Sequence, residues 1–309
     1  MNDERVVEVK ELRFDYDGHP ALSGVALSVR RGEIFGLVGA DGAGKTTLLR
    51  LCVGQLTPAS GQLRILGSDP RAPQLRPQLA YMPQGFGLYM DLSVQENLAF
   101  FADLHGMPRQ QARQRSADLL QRTGLKGFEG RRAGHLSGGM MQKLALACAL
   151  ISAPRVMFLD EPTTGVDPVS RRAFWKLLEG VRGEGVSIVY ATANMDEAER
   201  CDRVGLLEQG SLSRQGTPIE LAEVSDATLL QISGPAVRRQ RQTLRALDGV
   251  DLVFPVGARL HLWLAAGTDP ERFRAALHET APELSAEKAQ PTLQDTVLRS
   301  MALRRDEAA

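Results

Sequence analysis

The chain has 309 residues, and because 37 basic side chains balance 37 acidic ones, composition gives no reason to expect a nucleic-acid partner. Three cysteines stand far apart, which excludes the close spacing of a zinc or redox motif and predicts reduced thiols in a cytoplasmic protein. The start of the chain is charged and no apolar run approaches the roughly 20 residues of a membrane-spanning helix, so we expect a soluble chain.

The first part of the chain reads as strands followed by helices. Alternating apolar residues predict strands over residues 6–14 and 22–29, and an apolar run predicts a short buried strand over 32–38. An amphipathic helix begins at about Thr47. A mostly helical segment follows from about residue 94 to residue 134, where Gln, Arg, Ala and Leu are frequent.

Three later apolar runs predict further strands. They cover residues 156–159, 187–191 and 204–207, and helical patterns separate them, as in a parallel α/β sheet. A hairpin turn is expected at residues 208–211. A short helix should begin after Thr217, because a proline follows at its first position.

The pattern changes after about residue 225, where we predict a small α+β domain. Its expected elements are a strand (228–232), an Arg-rich helix (236–247), a hairpin (250–255 and 259–264) and helices at 270–280 and 291–303. The arginines of the first helix (Arg238, Arg239, Arg241 and Arg245) are expected to form a solvated face, not a binding patch. The predicted domains are therefore 5–224 and 226–309.

Residues 39–46 fit the phosphate-binding loop G-x-x-x-x-G-K-S/T at every fixed position, between a predicted strand and a predicted helix. Glycines let successive backbone N–H groups converge on a phosphate, where the helix N-terminus adds its positive dipole end. Lys45 can then reach the outer phosphates, and the Thr46 hydroxyl can bind Mg²⁺. A glycine-rich turn without a ligand is the alternative, but the context favours a nucleoside triphosphate site.

Two carboxylates follow the apolar strand at 156–159. Asp160 at the strand end is predicted to hold Mg²⁺, and Glu161, one step further into the cleft, to take the position of the general base. A helix cap before Pro162 is the alternative interpretation of this pair.

Ser137, Gly138 and Gly139 stand at the start of a predicted helix. A hydroxyl, two exposed N–H groups and the dipole end of the helix together make an anion site. Alone, such a tripeptide is common in loops, but it becomes specific in a chain that also carries a phosphate loop.

Taken with Gln84 and with Gly165-Val166-Asp167, these motifs have the order and approximate spacing of an ABC-transporter ATP-binding subunit, which the chain resembles over about residues 5–222. The resemblance implies a P-loop NTPase with a RecA-like α/β core, an antiparallel β subdomain and a helical subdomain at about 94–150, followed by the α+β domain. Finer features (81–84, 136–140, 195–199 and the run at 291–295) are similar to the drug-exporter branch of the daunorubicin-resistance and YbhF-like type.

The resemblance implies ATP and Mg²⁺ as ligands and two partners, a second ATP-binding subunit (the same chain or another) and a separate membrane permease. Each ATP would be held between the phosphate loop of one chain and residues 137–139 of the other. Dimer closure would drive the permease from the cytoplasmic face of the inner membrane. Two alternatives stay open: an ATP-dependent dimerisation switch with little hydrolysis, and a soluble ABC ATPase that acts on ribosomes or DNA.

Roles carry over from the family residue by residue. The resemblance implies that Glu161, Lys45 and Gln84 are the catalytic residues and that Thr46, Gln84 and Asp160 bind Mg²⁺. The nucleotide-binding set is Tyr16, Gly39, Ala40, Asp41, Gly42, Ala43, Gly44, Lys45, Thr46, Thr47, Ser137, Gly138, Gly139 and Asp167. Tyr16 matches the aromatic that stacks on adenine, with a core or loop tyrosine as the alternative. Asp167 matches a loop that communicates across the dimer, and a helix cap before Pro168 is compatible with that role.

The chain departs from the family pattern at three places. Ala40 and Asp41 replace the common Pro-Asn, and we expect the Asp41 carboxylate to face away from phosphate, which would repel it. Ser137, Gly138 and Gly139 correspond to the family's signature motif, and Met140 replaces the Gln that usually ends this motif. Ala193 stands where a histidine normally contacts the γ-phosphate and the attacking water, so hydrolysis is expected to be slow, to depend on Glu161 alone or to need a partner subunit.

Overall fold

The computed structural model describes residues 4–224 and 226–307, without the side chains of residues 301 and 304–307. The chain divides into two compact units, one ending at Gln215 and the other beginning at Gly216. The predicted boundary at residue 225 lies about ten residues later. The difference arises because the segment around Ala222 belongs to the second unit, where its carbonyl accepts a hydrogen bond from the Thr296 hydroxyl (2.9 Å). Residues 308 and 309 of the predicted C-terminal domain lie outside the described residues.

The first unit alternates strands and helices. Its elements in chain order are β1 (Arg5–Tyr16), β2 (His19–Arg30), β3 (Ile34–Val38), α1 (Lys45–Cys52), β4 (Ser60–Ile65), β5 (Leu79–Met82), α2 (Val94–Leu104), α3 (Arg109–Thr123), α4 (Gly138–Leu150), β6 (Val156–Asp160), α5 (Pro168–Gly183), β7 (Ser187–Thr192), α6 (Met195–Ala198), β8 (Arg203–Glu208) and β9 (Ser211–Gly216). The strands predicted before and after the helical segment correspond to β1, β2, β3, β6, β7 and β8.

A six-stranded sheet forms the centre of this unit, in the order β5-β6-β7-β3-β8-β9. The first five of these strands run parallel to one another, so their carboxyl ends lie along one edge of the sheet. Every residue of β3, β6 and β7 is buried, which explains why these strands read as apolar runs without alternation. The predicted parallel α/β core is confirmed.

An antiparallel sheet in the order β2-β1-β4 covers one side of the unit. It shares one apolar core with α1 and the central sheet, in which Leu12 and Val25 of the small sheet join Leu49, Phe158 and Val189. Burial of these side chains gives the unit its main stabilisation. The antiparallel β subdomain and the α/β core therefore share one hydrophobic core. Because α1 is part of that core, the loop that precedes α1 is anchored at its helical end.

Helices α2, α3 and α4 occupy the segment between residues 94 and 150. α2 begins with a capping box, in which the Ser93 hydroxyl accepts from the Glu96 N–H (3.2 Å) and the Glu96 carboxylate accepts from the Ser93 N–H (2.7 Å). α4 packs against both α2 and α3. Within residues 4–224 and 226–307, no helix is both long enough and apolar enough to cross a lipid bilayer.

The second unit is an α+β structure, as predicted. Its elements are α7 (Pro218–Ala222), β10 (Thr228–Ser233), α8 (Arg241–Arg245), β11 (Val250–Val256), β12 (Arg259–Leu264), α9 (Pro270–Thr280), β13 (Ser285–Lys288) and α10 (Leu293–Glu307). The strands form an antiparallel sheet in the order β11-β12-β10-β13. One apolar cluster joins Leu230 and Leu262 to Phe273 of α9, and a second joins Trp263 to Leu298 of α10.

Some predicted elements are wrong in extent or were missed. The Arg-rich helix expected over 236–247 is a 3₁₀ turn (Val237–Gln240) followed by the five-residue α8. Ala236 adopts a left-handed φ of 50°, which prevents an earlier helical start. The final helix begins at Leu293, two residues later than predicted, and runs to Glu307. Strands β4 and β13 were missed because most of their residues are not buried, and β5 because it has only four residues.

A buried carboxylate ties α10 to the sheet of the second unit. Asp295 is 1% exposed, and one of its oxygens lies 2.6 Å from His261 Nδ1 while the other accepts from the N–H and hydroxyl of Thr292 (both 2.8 Å). Burial alone would raise the pKa of Asp295, but the hydrogen bonds from His261 and Thr292 outweigh it and hold that pKa below its usual value.

We expect Asp295→Ala to lower the free energy of unfolding of the second unit by about 2–4 kcal/mol, because it leaves buried donors without an acceptor. Since the folded pKa of Asp295 is depressed, its contribution is present above pH ~4 and is lost as the pH falls through the folded value. Urea unfolding at pH 7 and at low pH tests this, with the exposed Asp248→Ala as control. Equal midpoints for the two variants at pH 7 would contradict the assignment.

Candidate nucleotide-binding site

The loop between β3 and α1 closes around the first turn of α1. Gly44 is the N-cap of the helix with a φ of 106°, and a Cβ atom there would approach the Ala21 carbonyl oxygen to 2.7 Å, so both backbone conformation and space require glycine. The first N–H groups of α1 have no acceptor within the helix, and its first turn carries no acidic residue. This loop and helix end therefore favour an anion.

Lys45 points back into this loop, and its side chain is only 5% exposed. Its ammonium donates to the carbonyl oxygens of Gly39 (2.8 Å) and Ala40 (3.0 Å) and forms an ion pair with Glu161 Oε1 (3.0 Å). These three contacts match the three donors of an ammonium group. The Asp41 side chain is 92% exposed, but its Oδ1 lies 4.0 Å from Lys45 Nζ and forms an ion pair with it, so this carboxylate is directed toward the loop lysine and not away from the loop.

Asp160 is the last residue of β6 and is fully buried. Its Oδ1 accepts from the Thr46 hydroxyl (3.1 Å) and its Oδ2 from the Tyr81 hydroxyl (3.2 Å). Burial raises the pKa of Asp160, and the two hydrogen bonds oppose that rise. Burial also raises the pKa of Tyr81 to about 12, so the phenol remains a donor at neutral pH. Thr46 and Asp160 thus bring together two oxygens of the kind that Mg²⁺ binds.

Glu161 leaves the strand with a left-handed φ of 49°. Its N–H donates to the carbonyl of Ala191 in β7 (2.9 Å), which helps hold this strained backbone in place. Its two carboxylate oxygens have separate partners, Lys45 on Oε1 and the Thr164 hydroxyl on Oε2 (3.2 Å). The structure therefore places Glu161 beside the phosphate loop, while Asp160 faces Thr46.

A cleft of about 410 Å³ opens over the phosphate loop. It is lined by Tyr16, His19, Pro20, Ala21, Asp41, Gly42, Gly44, Lys45, Thr46, Thr47, Gln84 and Glu161. Tyr16 and Gln84, which were assigned by resemblance alone, thus lie in the same cleft as Lys45 and Glu161. The Tyr16 side chain is 42% exposed, and its hydroxyl lies 3.4 Å from Thr47 Oγ1, so its ring is accessible to a planar ligand.

Four predicted site residues (Ser137, Gly138, Gly139 and Asp167) belong neither to the phosphate loop nor to the lining of this cleft. Ser137 caps α4 by accepting from the Met140 N–H (3.3 Å), with Gly138 and Gly139 in the first turn. Asp167 caps α5, where one of its oxygens accepts from two backbone N–H groups (3.0 and 2.9 Å). A Cβ atom on Gly139 would approach Ser170 Oγ to 2.4 Å, so the starts of α4 and α5 lie in close contact. The signature tripeptide and Asp167 therefore form a second patch on the first unit.

Ala193 follows β7 directly and is exposed. The carbonyl of its neighbour Thr192 accepts from the Gly39 N–H (3.3 Å), so the Ala193 turn adjoins the phosphate loop. His19 pairs with Tyr16 at the turn of the β1–β2 hairpin and lines the cleft; it was not foreseen, because it belongs to no motif. Tyr81, the donor to Asp160, was also missed, since no pattern in a four-residue strand marks a hydroxyl contact.

Comparison with known proteins agrees with this geometry. A protein-family model described as ABC transporter matches residues 22–164. The chain is 40% identical over 296 residues to the probable multidrug ABC transporter ATP-binding protein YbhF of Escherichia coli (strain K12), covering 93% of this chain and 50% of that protein. It is 34% identical over 297 residues to Nod factor export ATP-binding protein I of Rhizobium sp. (strain N33), covering 95% and 96%. The chain thus spans about half the length of YbhF.

Solved structures show the same likeness. The chain described as cbiO1 from Clostridium perfringens, part of the ABC transporter complex cbiONQ, has a TM-score of 0.66 and 32% identity over 71% of this chain and 90% of that one. A structure described as the ATP binding subunit of an ABC transporter has a TM-score of 0.64 and 30% identity, over 70% and 91%. Both support the P-loop α/β fold.

Proposed function

Because the chain belongs to the ATP-binding proteins of the ABC transporter family, we propose that it binds ATP with Mg²⁺ and hydrolyses it to drive export through a separate membrane permease. One observation carries the proposal: Lys45, Thr46, Asp160 and Glu161 meet at the carboxyl edge of a parallel sheet, beside a helix N-terminus. The direction of transport is taken from the name of one relative, which speaks of Nod factor export; the other is named for multidrug transport.

The phosphate loop would bind the triphosphate through its backbone N–H groups and Lys45. All three donors of Lys45 are engaged, so a γ-phosphate would take the place of one contact, most simply that with Glu161. Thr46, Gln84 and Asp160 would hold Mg²⁺ through oxygen atoms and bound water, and the ion would neutralise phosphate charge. The exposed ring of Tyr16 would stack on adenine.

Glu161 would then act as the general base. Once it no longer pairs with Lys45, its carboxylate can accept the proton of a water that attacks the γ-phosphorus, while the β–γ bond breaks and ADP leaves. The hydrogen bond from Thr164 and the strained backbone of Glu161 keep the carboxylate at the mouth of the loop. We therefore propose Glu161, Lys45 and Gln84 as the catalytic residues.

The second patch supports a head-to-tail dimer. Ser137 is exposed, and the start of α4 offers N–H groups to an anion, but this patch does not line the chain's own cleft. We assign residues 137–139 to the γ-phosphate of ATP held by a second ATP-binding subunit. Asp167 is exposed beside them, and its neighbour Val169 is 69% exposed, which suits a surface that a partner covers.

A groove of about 600 Å³ near Gln84 is the proposed permease contact. It is lined mainly by apolar side chains between the segment after β5 and helix α2, among them Phe86, Leu88 and Phe101. In the same segments, Leu104 is 68% exposed, and the rings of Tyr89 and Phe100 meet edge to face with 4.4 Å between their centroids. Such a groove suits an amphipathic helix of the permease, which would hold the chain at the cytoplasmic face of the membrane.

Ala193 favours a second candidate function, in which ATP closes the dimer but is hydrolysed very slowly. A methyl group offers no hydrogen-bond donor to the charge that develops on the γ-phosphate. Steady-state phosphate release separates the two functions. Release with MgATP that stops when EDTA removes the metal supports the ATPase, and ATP binding with dimer formation but without release supports the switch.

We expect Ala193→His to raise phosphate release about tenfold, part of the 10²–10³ that one preorganised donor contributes. The turn that carries Ala193 already adjoins the phosphate loop, so an imidazole there can reach the cleft. The matched control is Ala59→His at an exposed position of the same unit. A flat rate with ATP binding intact would show that Ala193 is not the position that limits hydrolysis.

A further inference from the structure

A buried carboxylate lies behind the nucleotide cleft and has no role in the proposed chemistry. Glu197 of α6 is 3% exposed. Its Oε2 accepts from the Thr192 hydroxyl (2.7 Å), and its Oε1 accepts from the Thr163 hydroxyl. Oε1 also lies 3.6 Å from Arg171 Nε, which makes an ion pair. One side chain therefore contacts the segment after β6, the end of β7 and the first turn of α5.

Each of these segments carries a residue of the proposed site. Thr163 lies two residues after Glu161, and Thr192 ends β7 immediately before Ala193. Arg171 lies in the first turn of α5, and its Nη2 donates to the carbonyl of Val166 (3.3 Å), the residue before Asp167. Glu197 thus links the segment that carries Glu161, the turn that carries Ala193 and the loop that carries Asp167.

A carboxylate imposes a direction on the hydroxyl groups around it, because it can only accept hydrogen bonds. The protons of Thr163 and Thr192 both point to Glu197, which leaves each hydroxyl oxygen as an acceptor. Thr192 Oγ1 accepts from the Asn194 N–H (3.0 Å), and this bond closes the turn around Ala193. Thr163 Oγ1 lies 3.1 Å from the Tyr190 hydroxyl, which is then the donor.

We propose that Glu197 is a positioning residue for ATP hydrolysis, which holds the Glu161 segment, the Ala193 turn and the Asp167 loop in fixed relative positions. The inference rests on the proposed ATPase function. Stability alone does not explain a buried carboxylate here, because an apolar side chain of similar size is often as stabilising as a buried ion pair. An apolar side chain cannot accept hydrogen bonds, so it could not orient the Thr163 and Thr192 hydroxyls as Glu197 does.

Glu197→Gln tests the proposal, since the amide keeps the shape but adds a donor that must reverse one threonine hydrogen bond. We expect single-turnover hydrolysis to fall about 10–10²-fold, the effect of a small displacement of reacting groups, while the Kd for ATP changes less than about threefold. Hydrogen exchange should speed up together in peptides 161–167 and 190–195. The neighbouring exposed Asp196→Asn is the matched control and should match the wild type in every readout.

A second pair of variants covers the case in which Glu197→Gln does not fold. Thr192→Val removes one hydroxyl at constant shape, and Thr192→Ser keeps that hydroxyl. With valine we expect faster hydrogen exchange in peptides 161–167 and 190–195 and slower hydrolysis. With serine we expect the exchange and the hydrolysis rates to return to those of the wild type. Recovery by the conservative variant is what a merely space-filling role of Thr192 would not produce.

The proposed ATPase function and the positioning role of Glu197 are contradicted by different results. If the wild type releases no phosphate, the proposed ATPase function is wrong, whereas the exchange data still decide whether Glu197 joins the segments. If peptide 161–167 exchanges as in the wild type while 190–195 changes, the link is absent and the inference is overturned. Unchanged hydrolysis in both Glu197→Gln and Thr192→Val, in a wild type that is active, would also overturn it.

Discussion

Replacing Glu161 with Gln is expected to lower single-turnover ATP hydrolysis by about 10²–10³-fold while ATP stays bound, because an amide of the same shape cannot accept the proton of the attacking water. The carboxylate lies 3.0 Å from Lys45 Nζ, so the same change also removes a negative charge that competes with phosphate for the ammonium. The Glu161→Gln protein should therefore bind ATP with the same affinity as the wild type or a higher one.

Acid-quench measurement of product formed by excess enzyme gives the hydrolysis rate without product release. Glu179→Gln is the matched control, because it makes the same chemical change at an exposed position of α5 in the same unit. Hydrolysis by the Glu161 variant at the rate of this control would mean that another group accepts the proton, and the role given to Glu161 would be wrong.

Lys45→Ala is expected to weaken ATP binding by about 10²-fold, or roughly 3 kcal/mol, because it removes the buried cation that faces the outer phosphates. Lys45 is 5% exposed and is held by two loop carbonyls, so its amine is already positioned before a phosphate arrives. The lost contact is charge-assisted, and water cannot easily replace it in so enclosed a site.

Isothermal titration calorimetry with ATP and Mg²⁺ measures this loss directly. Lys176→Ala, at an exposed position of α5, removes an equal charge far from the loop and should leave the Kd unchanged. A thermal unfolding scan checks that the loop survives the loss of the Lys45–Glu161 ion pair. Equal affinity in the two variants would contradict the phosphate-loop assignment.

The phosphate loop and the central strands could be predicted because their signals are local. Gly44 and Lys45 stand at fixed spacings, and β3, β6 and β7 are buried throughout, so their apolar runs are unmistakable. The meeting of Thr46 with Asp160 joins residues 114 apart, yet it follows once both lie at the carboxyl edge of one parallel sheet. The topology of the parallel sheet therefore brings the phosphate loop and the Asp160–Glu161 pair together in one site.

Other features depend on tertiary contacts that leave no periodic signal. Tyr16 and Gln84 were assigned only by resemblance, since a lone aromatic and a turn glutamine carry little information in themselves. The hydrogen bonds of Tyr81 to Asp160 and of Glu197 to two threonines join hydroxyls and carboxylates across strands, and no spacing rule describes them. The left-handed φ of Ala236, which keeps this residue out of the helical segment that follows it, likewise has no signal in the composition.

We propose that two ATP-binding subunits, in this test two copies of the chain, enclose two molecules of ATP, each between the phosphate loop of one subunit and residues 137–139 of the other. Native mass spectrometry of the Glu161→Gln protein in MgATP tests it most directly, because slow hydrolysis keeps the nucleotide intact during the measurement. We expect a species with the mass of two chains, two ATP and two Mg²⁺. A spectrum that contains only monomers, each carrying one ATP, would contradict it.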